Sequence, residues 1–280
     1  MSNTFLQLSH KLELSQHARV VADVHAVARP LNVQLMLTGA FARDLHLHHA
    51  WGVPVRRKTH DVDFALVVQD WAAFTSLRAE LISSGLFTEA QGVLHRLRHC
   101  SGLPVDLVPF GAIETDQRKI IWPPDGDTVM DVFGFREAWL TAVAVELPDG
   151  VQTRAVSLPA LAWLKLVCWQ DRHRRSPRKD AQDIQLIMNH YMDAGNEPRL
   201  WEEFVEWTQQ DGFDYELTGA RMLGNDIAQQ LNAQASSRVA AIVASQVRFD
   251  EPGILPNEMN PYSPEKAVSQ LLALLQGMKD

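Results

Sequence analysis

The pattern of the chain changes near residue 156, and this change constrains the fold more than any other feature. Before it, short apolar runs typical of strands are mixed with helical segments, and after it the segments are helical. Ser157 can cap a helix that carries Pro159 in its first turn, where proline is tolerated. The sequence therefore predicts an α+β amino-terminal domain over residues 1–156 and a helical carboxy-terminal domain over 157–280.

Individual elements follow from the same patterns. In the first domain we expect helices at 12–29, 41–49 and 71–84, and strands at 34–38, after Asp61, and at 93–98, 103–109, 120–122, 142–147 and 152–156. In the second we expect a helix from Ser157 and further helices near 180–192, 198–210, 217–232, 236–246 and 264–278.

Composition indicates a soluble cytoplasmic protein that does not enter a membrane. The chain has 280 residues, is 46% hydrophobic and 21% charged, and contains no apolar run near the roughly 18 residues that a membrane span needs. Its first residues lack the basic and then apolar plan of a secretion signal. The cysteines, Cys100 and Cys168, have no CxxC or zinc spacing, which favours reduced thiols.

Charge leaves the question of nucleic acid open. The net charge of −8 argues against sequence-independent coating of nucleic acid, but not against a local basic groove. Two basic clusters are candidates for contact with an RNA backbone: Arg56, Arg57 and Lys58 in the first domain, and Arg172, Arg174 and Arg175 in the second. The second cluster is equally readable as a solvated loop.

Three aspartates are candidate metal ligands. Asp61 and Asp63 flank Val62 at the start of an apolar strand, so their carboxylates project to the same side and repel each other unless a cation lies between them. Asp106 interrupts another short apolar strand, and beside the first it would complete a trio able to hold one or two magnesium ions. The alternatives are a solvated strand end for the pair and a solvent-facing acid on an edge strand for Asp106.

Gly39 lies between a buried strand and a helix, where glycine permits close backbone approach and the helix start presents free N–H groups to an anion. The sequence contains no GxxxxGK[ST], so the P-loop way of holding phosphate is absent. We therefore treat this turn as a candidate phosphate-binding turn that needs support from other residues.

Lys165 is the one charge in an almost wholly apolar helical stretch, so it must either extend to solvent or meet an anion, such as a triphosphate. Asp180 and Asp183 lie three apart at a later helix start, where the helix dipole favours acids in any case. One of these two acids could instead pair with Lys165 or Arg172. The histidines of the first domain, His46, His48, His49 and His60, have no Cys or further His at zinc-ligand spacing and are predicted to have a structural or surface role.

These residues, in this order, resemble the nucleotidyltransferase superfamily related to DNA polymerase β. The resemblance rests on Thr38-Gly39-Ala40-Phe-Ala-Arg43-Asp44, then Arg57-x-Thr59-x-Asp61-Val-Asp63-Phe, then Asp106. The later segments Val132-Phe-Gly-Phe-Arg-Glu137, Ser157 to Lys165 and Lys179 to Ile184 are similar to the AbiEii-type nucleotidyltransferases, the toxins of type IV toxin–antitoxin and abortive-infection systems. The likeness runs from about residue 34 to 192.

The resemblance implies a nucleotidyltransferase fold, a mixed sheet flanked by helices, and a role for each motif residue. Asp61, Asp63 and Asp106 would be catalytic and bind Mg²⁺, and Thr38, Gly39, Ala40 and Arg43 would contact the nucleotide. Lys165 would be catalytic and hold the triphosphate, and Asp180 and Asp183 would belong to the family's DxxD element of the nucleotide-binding site. One departure is that Ala40 stands where the family usually has serine, which removes a phosphate contact.

The hypothesis from the sequence is transfer of a nucleoside monophosphate from an NTP to an acceptor hydroxyl, with tRNA or another RNA as the acceptor and an antitoxin as a partner. Two alternatives stay open. One is a small-molecule nucleotidyltransferase of the antibiotic type, and the other is a degenerate fold that binds a nucleotide or a partner without catalysis.

Overall fold

The computed structural model describes residues 5–54, 59–247 and 251–280. The chain divides into two compact units, one within residues 5–156 and the other formed by Ser157–Asp280. None of the helices in these described ranges is long and apolar enough to cross a membrane.

The first unit is built on an eight-stranded mixed sheet. Its strands are β1 (Phe5–Gln7), β2 (Gln34–Thr38), β3 (Val62–Val68), β4 (Phe87–Glu89), β5 (Arg96–His99), β6 (Pro104–Gly111), β9 (Val143–Leu147) and β10 (Val151–Ala155), while β7 (Lys119–Ile121) and β8 (Val129–Asp131) form a separate pair. Its helices are α1 (Ser15–Ala28), α2 (Gly39–Asp44), α3 (Trp71–Ser83) and α4 (Phe135–Leu140). The strand order is β1-β9-β10-β2-β3-β6-β5-β4.

Strands β3 and β6 lie in the interior of the sheet and pair in parallel. Both are almost continuous apolar runs whose residues are mostly buried, as expected for strands covered on both faces. The register sets Asp63 opposite Asp106, and the antiparallel pairing of β2 with β3 sets Thr38 opposite Asp63. The sheet itself therefore brings these polar positions together.

The second unit is helical. Its elements are α5 (Leu158–Arg172), α6 (Lys179–His190), α7 (Glu197–Glu202), α8 (Val205–Thr208), α9 (Tyr215–Gln230), α10 (Ala233–Ala244), α11 (Ile254–Met259) and α12 (Pro264–Gly277). The Ser157 hydroxyl accepts a hydrogen bond from the Ala160 N–H and caps α5, as the sequence predicts. Helices α9 and α12 approach closely because Gly224 and Gly277 have no side chain: a Cβ at Gly224 would lie 2.0 Å from the Leu274 carbonyl oxygen.

The α+β class and the helical second half are confirmed. The predicted helix at 198–210 is wrong in one respect, because it is two short helices, α7 and α8, interrupted at residues 203 and 204. The elements β1, β4, β8, α4 and α11 were not predicted. They are three to six residues long, and the strands among them are held by pairing with other parts of the chain rather than by local preference.

Candidate active site

The three predicted acids converge at one place in the first unit. Asp61 precedes β3, Asp63 is its second residue, and Asp106 lies beside Asp63 on β6. One carboxylate oxygen from each lies within 4.8 Å of the others. Because β6 lies between β3 and β5 and Asp106 is only 7% exposed, the interpretation of Asp106 as a solvent-facing acid on an edge strand is wrong.

This cluster suits a divalent cation. Carboxylate oxygens are the ligands that Mg²⁺ prefers, and oxygens around one such ion lie about 3 to 4 Å apart. Among the described residues, these acids are the one group of three or more His, Cys, Asp and Glu side chains close enough to share an ion. The residues present therefore fit the metal that the resemblance implies, with Asp61, Asp63 and Asp106 as its ligands.

A basic residue that the sequence did not single out also contacts the acids. Arg96 lies opposite Asp106 on the antiparallel strand β5, and its Nε and Nη2 each donate to one Asp106 oxygen at 2.6 Å. Its Nη2 also lies 3.5 Å from Asp61 Oδ2. The hydrogen bonds to Asp106 raise the pKa of Arg96 despite its partial burial. The only sequence signal was an arginine on the strand that precedes the Asp106 strand.

Gly39 is the point of closest backbone approach to the acids. It begins α2 directly after β2 with a φ of +67°, a conformation that favours glycine. A Cβ built there would lie 2.0 Å from Asp63 Oδ2. The turn therefore passes against the acid cluster in a way that only glycine allows.

The rest of the glycine motif is buried and internally paired. Thr38 precedes the turn, Ala40 is buried behind it, and Arg43 donates to Asp44 Oδ1 from both Nε and Nη2, at 2.9 and 2.6 Å. The Thr59 hydroxyl donates to the other Asp44 oxygen at 2.6 Å. Asp44 thus joins α2 to the segment that leads into the acid pair, while nucleotide contact by Thr38, Ala40 or Arg43 stays a prediction.

A second charged cluster lies within the helical unit, between α5 and α6. Lys165 Nζ lies 2.6 Å from Asp183 Oδ2 and 3.1 Å from Asp180 Oδ1, and Arg172 donates to both Asp180 oxygens. Burial raises the pKa of Asp180, but Arg172 and Lys165 outweigh it and bring that pKa to about 2. For Lys165, burial lowers the pKa, but the negative charges of the two acids outweigh burial, and the pKa lies above its ordinary value.

Lys165 is 5% exposed, so the interpretation in which it extends to solvent is wrong, and the anions it meets in the structure are aspartates. The prediction that one of the two acids pairs with Lys165 or Arg172 is confirmed for Asp180, which pairs with both. Contact of Lys165, Asp180 or Asp183 with a triphosphate stays a prediction.

Of the two basic clusters predicted to contact RNA, the structure describes only the second. Arg56, Arg57 and Lys58 lie outside the described residues. Arg172 is engaged with Asp180, whereas Arg174 and Arg175 are exposed in the connection between α5 and α6, with Arg175 3.7 Å from Asp171. RNA contact by any of these residues stays a prediction.

His46 has a structural environment. It is buried, its Nε2 lies 2.9 Å from the Val156 carbonyl oxygen, and burial lowers its pKa to about 4 despite that hydrogen bond. The ring is therefore neutral at pH 7, and it ties the helical segment Leu45–His49, which follows α2, to the last residue of the first unit.

Comparison with known proteins identifies the class of the protein: the chain is a nucleotidyltransferase. The family model for the nucleotidyl transferase AbiEii toxin of type IV toxin–antitoxin systems matches residues 23–266, and the chain belongs to that family. Among curated proteins, no relative matches the sequence.

Several solved structures are similar at low identity, among them the following three. ANT(2'')-Ia in complex with adenylyl-2''-tobramycin is 16% identical, with 68% of this chain and 94% of that chain covered and a TM-score of 0.38. An antigenic nucleotidyltransferase-like protein from Paracoccidioides brasiliensis is 18% identical, covering 69% and 90% with a TM-score of 0.40. The Thermotoga maritima CCA-adding enzyme complexed with tRNA is 12% identical, covering 95% and 81% with a TM-score of 0.27. Family membership rests on the sequence match and not on these distant likenesses.

Proposed function

We propose that this protein is a Mg²⁺-dependent enzyme that transfers a nucleoside monophosphate from an NTP to a hydroxyl of tRNA or another RNA, as the toxin of a type IV toxin–antitoxin pair. The observation that carries the proposal is the convergence of Asp61, Asp63 and Asp106 beside the Gly39 turn. Membership of the AbiEii family supports the toxin role and a partner antitoxin. A cytoplasmic location follows from the same proposal.

The roles of the residues follow from their positions. Asp61 and Asp63 would hold Mg²⁺ with help from Asp106, and the bound ion would neutralise the triphosphate and favour in-line displacement. The acceptor hydroxyl oxygen would form a bond to the α-phosphorus while the bond to pyrophosphate breaks, and Asp106 would accept the hydroxyl proton. The Gly39 turn, with Thr38, Ala40 and Arg43 around it, would position the phosphates close to these acids.

The second unit would contribute Lys165, held in place by Asp180 and Asp183, to the triphosphate. The exposed Arg174 and Arg175, together with Arg172 and the cluster at Arg56, Arg57 and Lys58, would contact the RNA backbone. A chain of net charge −8 needs such local clusters if it is to bind a polyanion.

The test is nucleotide transfer with labelled substrate. Full-length protein is incubated with each α-labelled NTP, Mg²⁺ and total tRNA, alongside Asp63→Asn and the control Asp149→Asn, which removes an exposed acid of the same unit. We expect label on RNA with wild type and Asp149→Asn, and at least about a hundredfold loss with Asp63→Asn, because charge neutralisation at phosphoryl transfer is worth several kcal/mol.

Other outcomes would correct the proposal. Label only on small hydroxyl compounds would establish a small-molecule acceptor and overturn the RNA assignment. No transfer to any acceptor, with nucleotide binding unchanged in Asp63→Asn, would indicate a degenerate binding module.

Growth arrest on induced expression, relieved by a neighbouring gene product and absent with Asp63→Asn, would test the toxin role.

A further inference from the structure

Arg96 is a charged residue at the acid cluster that the proposed function does not use. We propose that Arg96 is a positioning residue: it holds Asp106 in place when no metal is bound, and it competes with the divalent ion for the acid cluster. The inference deepens the proposed function and rests on its metal site.

The geometry of Arg96 supports a specific partnership. Its two nitrogens engage both oxygens of one carboxylate at 2.6 Å, the bidentate arrangement that makes arginine–carboxylate pairs strong. The same guanidinium reaches Asp61 at 3.5 Å, so it bridges two of the three acids. It therefore supplies one positive charge at the place where a metal ion would supply two.

Competition follows from the chemistry of the pair. A carboxylate whose two oxygens both accept from a guanidinium binds a divalent ion less readily, since that ion meets a positive charge within a few ångströms and must share or displace the hydrogen bonds. Without a nearby cation, three clustered carboxylates repel one another. Arg96 relieves that repulsion before metal binds.

Release of Arg96 is sterically feasible. Its side chain is 35% exposed while the side chain of Asp106 is 10% exposed, so the arginine has access to water that the acid lacks. The backbones of β5 and β6 are joined by strand pairing, and only the side chain needs to move. Binding of metal would therefore turn the guanidinium outward and leave Asp106 in place.

Arg98 offers a matched control. It lies two residues further along β5, is exposed, and donates to the Gly102 carbonyl oxygen. Arg98→Met removes the same charge from the same strand as Arg96→Met. A change in metal binding that arises only from net charge would appear in both variants.

The experiment is calorimetric titration of Mn²⁺ into metal-free full-length wild type, Arg96→Met, Arg96→Lys and Arg98→Met, without nucleotide. We expect Arg96→Met to bind Mn²⁺ about tenfold more tightly than wild type, because a partly screened unit charge beside the ion is removed. We expect Arg98→Met to bind like wild type and Arg96→Lys, which keeps the charge without the bidentate geometry, to lie between.

Thermal unfolding gives a second readout. We expect Arg96→Met to unfold at lower temperature than wild type in chelator, because Asp106 has lost its arginine partner, and the difference to shrink with saturating Mn²⁺. If Arg96→Met does not fold, the comparison of Arg96→Lys with wild type decides in the same way.

The outcomes separate this inference from the proposed function. Equal or weaker Mn²⁺ binding by Arg96→Met, with wild type binding normally, overturns the competition and leaves the nucleotide-transfer test untouched. Absence of Mn²⁺ binding in every protein overturns the metal site itself, and the inference with it.

Discussion

Gly39 is the residue whose identity the acid cluster most depends on. Its φ of +67° and the 2.0 Å that would separate a Cβ from Asp63 Oδ2 impose two independent demands for glycine at one position. Asp63 in turn lies opposite both Thr38 and Asp106 in the sheet, so it cannot move away from residue 39 without disturbing these neighbours. Because residue 39 has no side chain, the backbone can pass close to Asp63 without displacing the carboxylate that would bind the metal.

We predict that Gly39→Ala lowers Mn²⁺ affinity by about tenfold or more, because the methyl group displaces the Asp63 carboxylate by a distance that metal geometry does not tolerate. Gly85→Ala is the control, since Gly85 has a similar φ of +74° with nothing within 4 Å of its Cβ position. It should cost about 1–2 kcal/mol of stability through left-handed strain and leave metal binding unchanged. Calorimetric titration measures both, and equal affinities in the two variants would contradict the steric argument.

At the scale of elements, the joint between α5 and α6 depends on buried charge. Lys165 on α5 contacts Asp180 and Asp183 on α6, and Arg172 at the end of α5 forms an ion pair with Asp180. Lys165, Asp180 and Asp183 are buried, while the Arg172 side chain that completes the charge balance is 39% exposed. A buried pair of this kind is costly to break from one side only, because the remaining charges lose their partner.

We predict that Lys165→Met destabilises the protein by about 3–5 kcal/mol, since it leaves the Asp183 carboxylate buried without its ammonium partner. The double variant Lys165→Met/Asp183→Leu should recover part of this loss, because Asp180 keeps Arg172. Urea unfolding measures the free energies.

Two results at this joint are informative. Equal stability of wild type and Lys165→Met would show that the ion pairs contribute little. A double variant that folds but transfers no nucleotide would show that the Lys165–Asp183 pair has a role beyond stability.

At the scale of the whole molecule, the burial of His46 makes the stability of the fold depend on pH. His46 lies in the first unit with its ring hydrogen-bonded to Val156, where the first unit ends. Its pKa in the folded protein is about 4, below the ordinary value of 6.5, because burial disfavours the charged ring. Between these values the unfolded chain binds more protons than the folded one, so stability is lost as pH falls through this window.

We predict that lowering the pH from 7 to 5 costs wild type about 2 kcal/mol more free energy of unfolding than it costs His46→Gln. Glutamine can donate a similar hydrogen bond without titrating. Urea unfolding at both pH values measures the difference. Equal losses of unfolding free energy in the two proteins would mean that His46 is protonated as readily in the folded state as in the unfolded state.

The sequence by itself determined the features that depend on local pattern or on chemical cost. The long helices and strands followed from periodicity, and the N-cap at Ser157 from its side chain. Asp61, Asp63 and Asp106 stood out because a carboxylate in an apolar strand is expensive without a partner, and motif order then indicated the class of enzyme. The short strands and the break between α7 and α8 carried no comparable local signal.

Only the tertiary structure decided which charges meet. The parallel register of β3 and β6 sets Asp63 beside Asp106, and the pairing of β5 with β6 brings Arg96 onto the same carboxylate. Likewise, Lys165 is neutralised by aspartates on the next helix instead of extending to water. Residue types and spacing state which groups need a partner, but strand register and helix packing, which are non-local, select the partner.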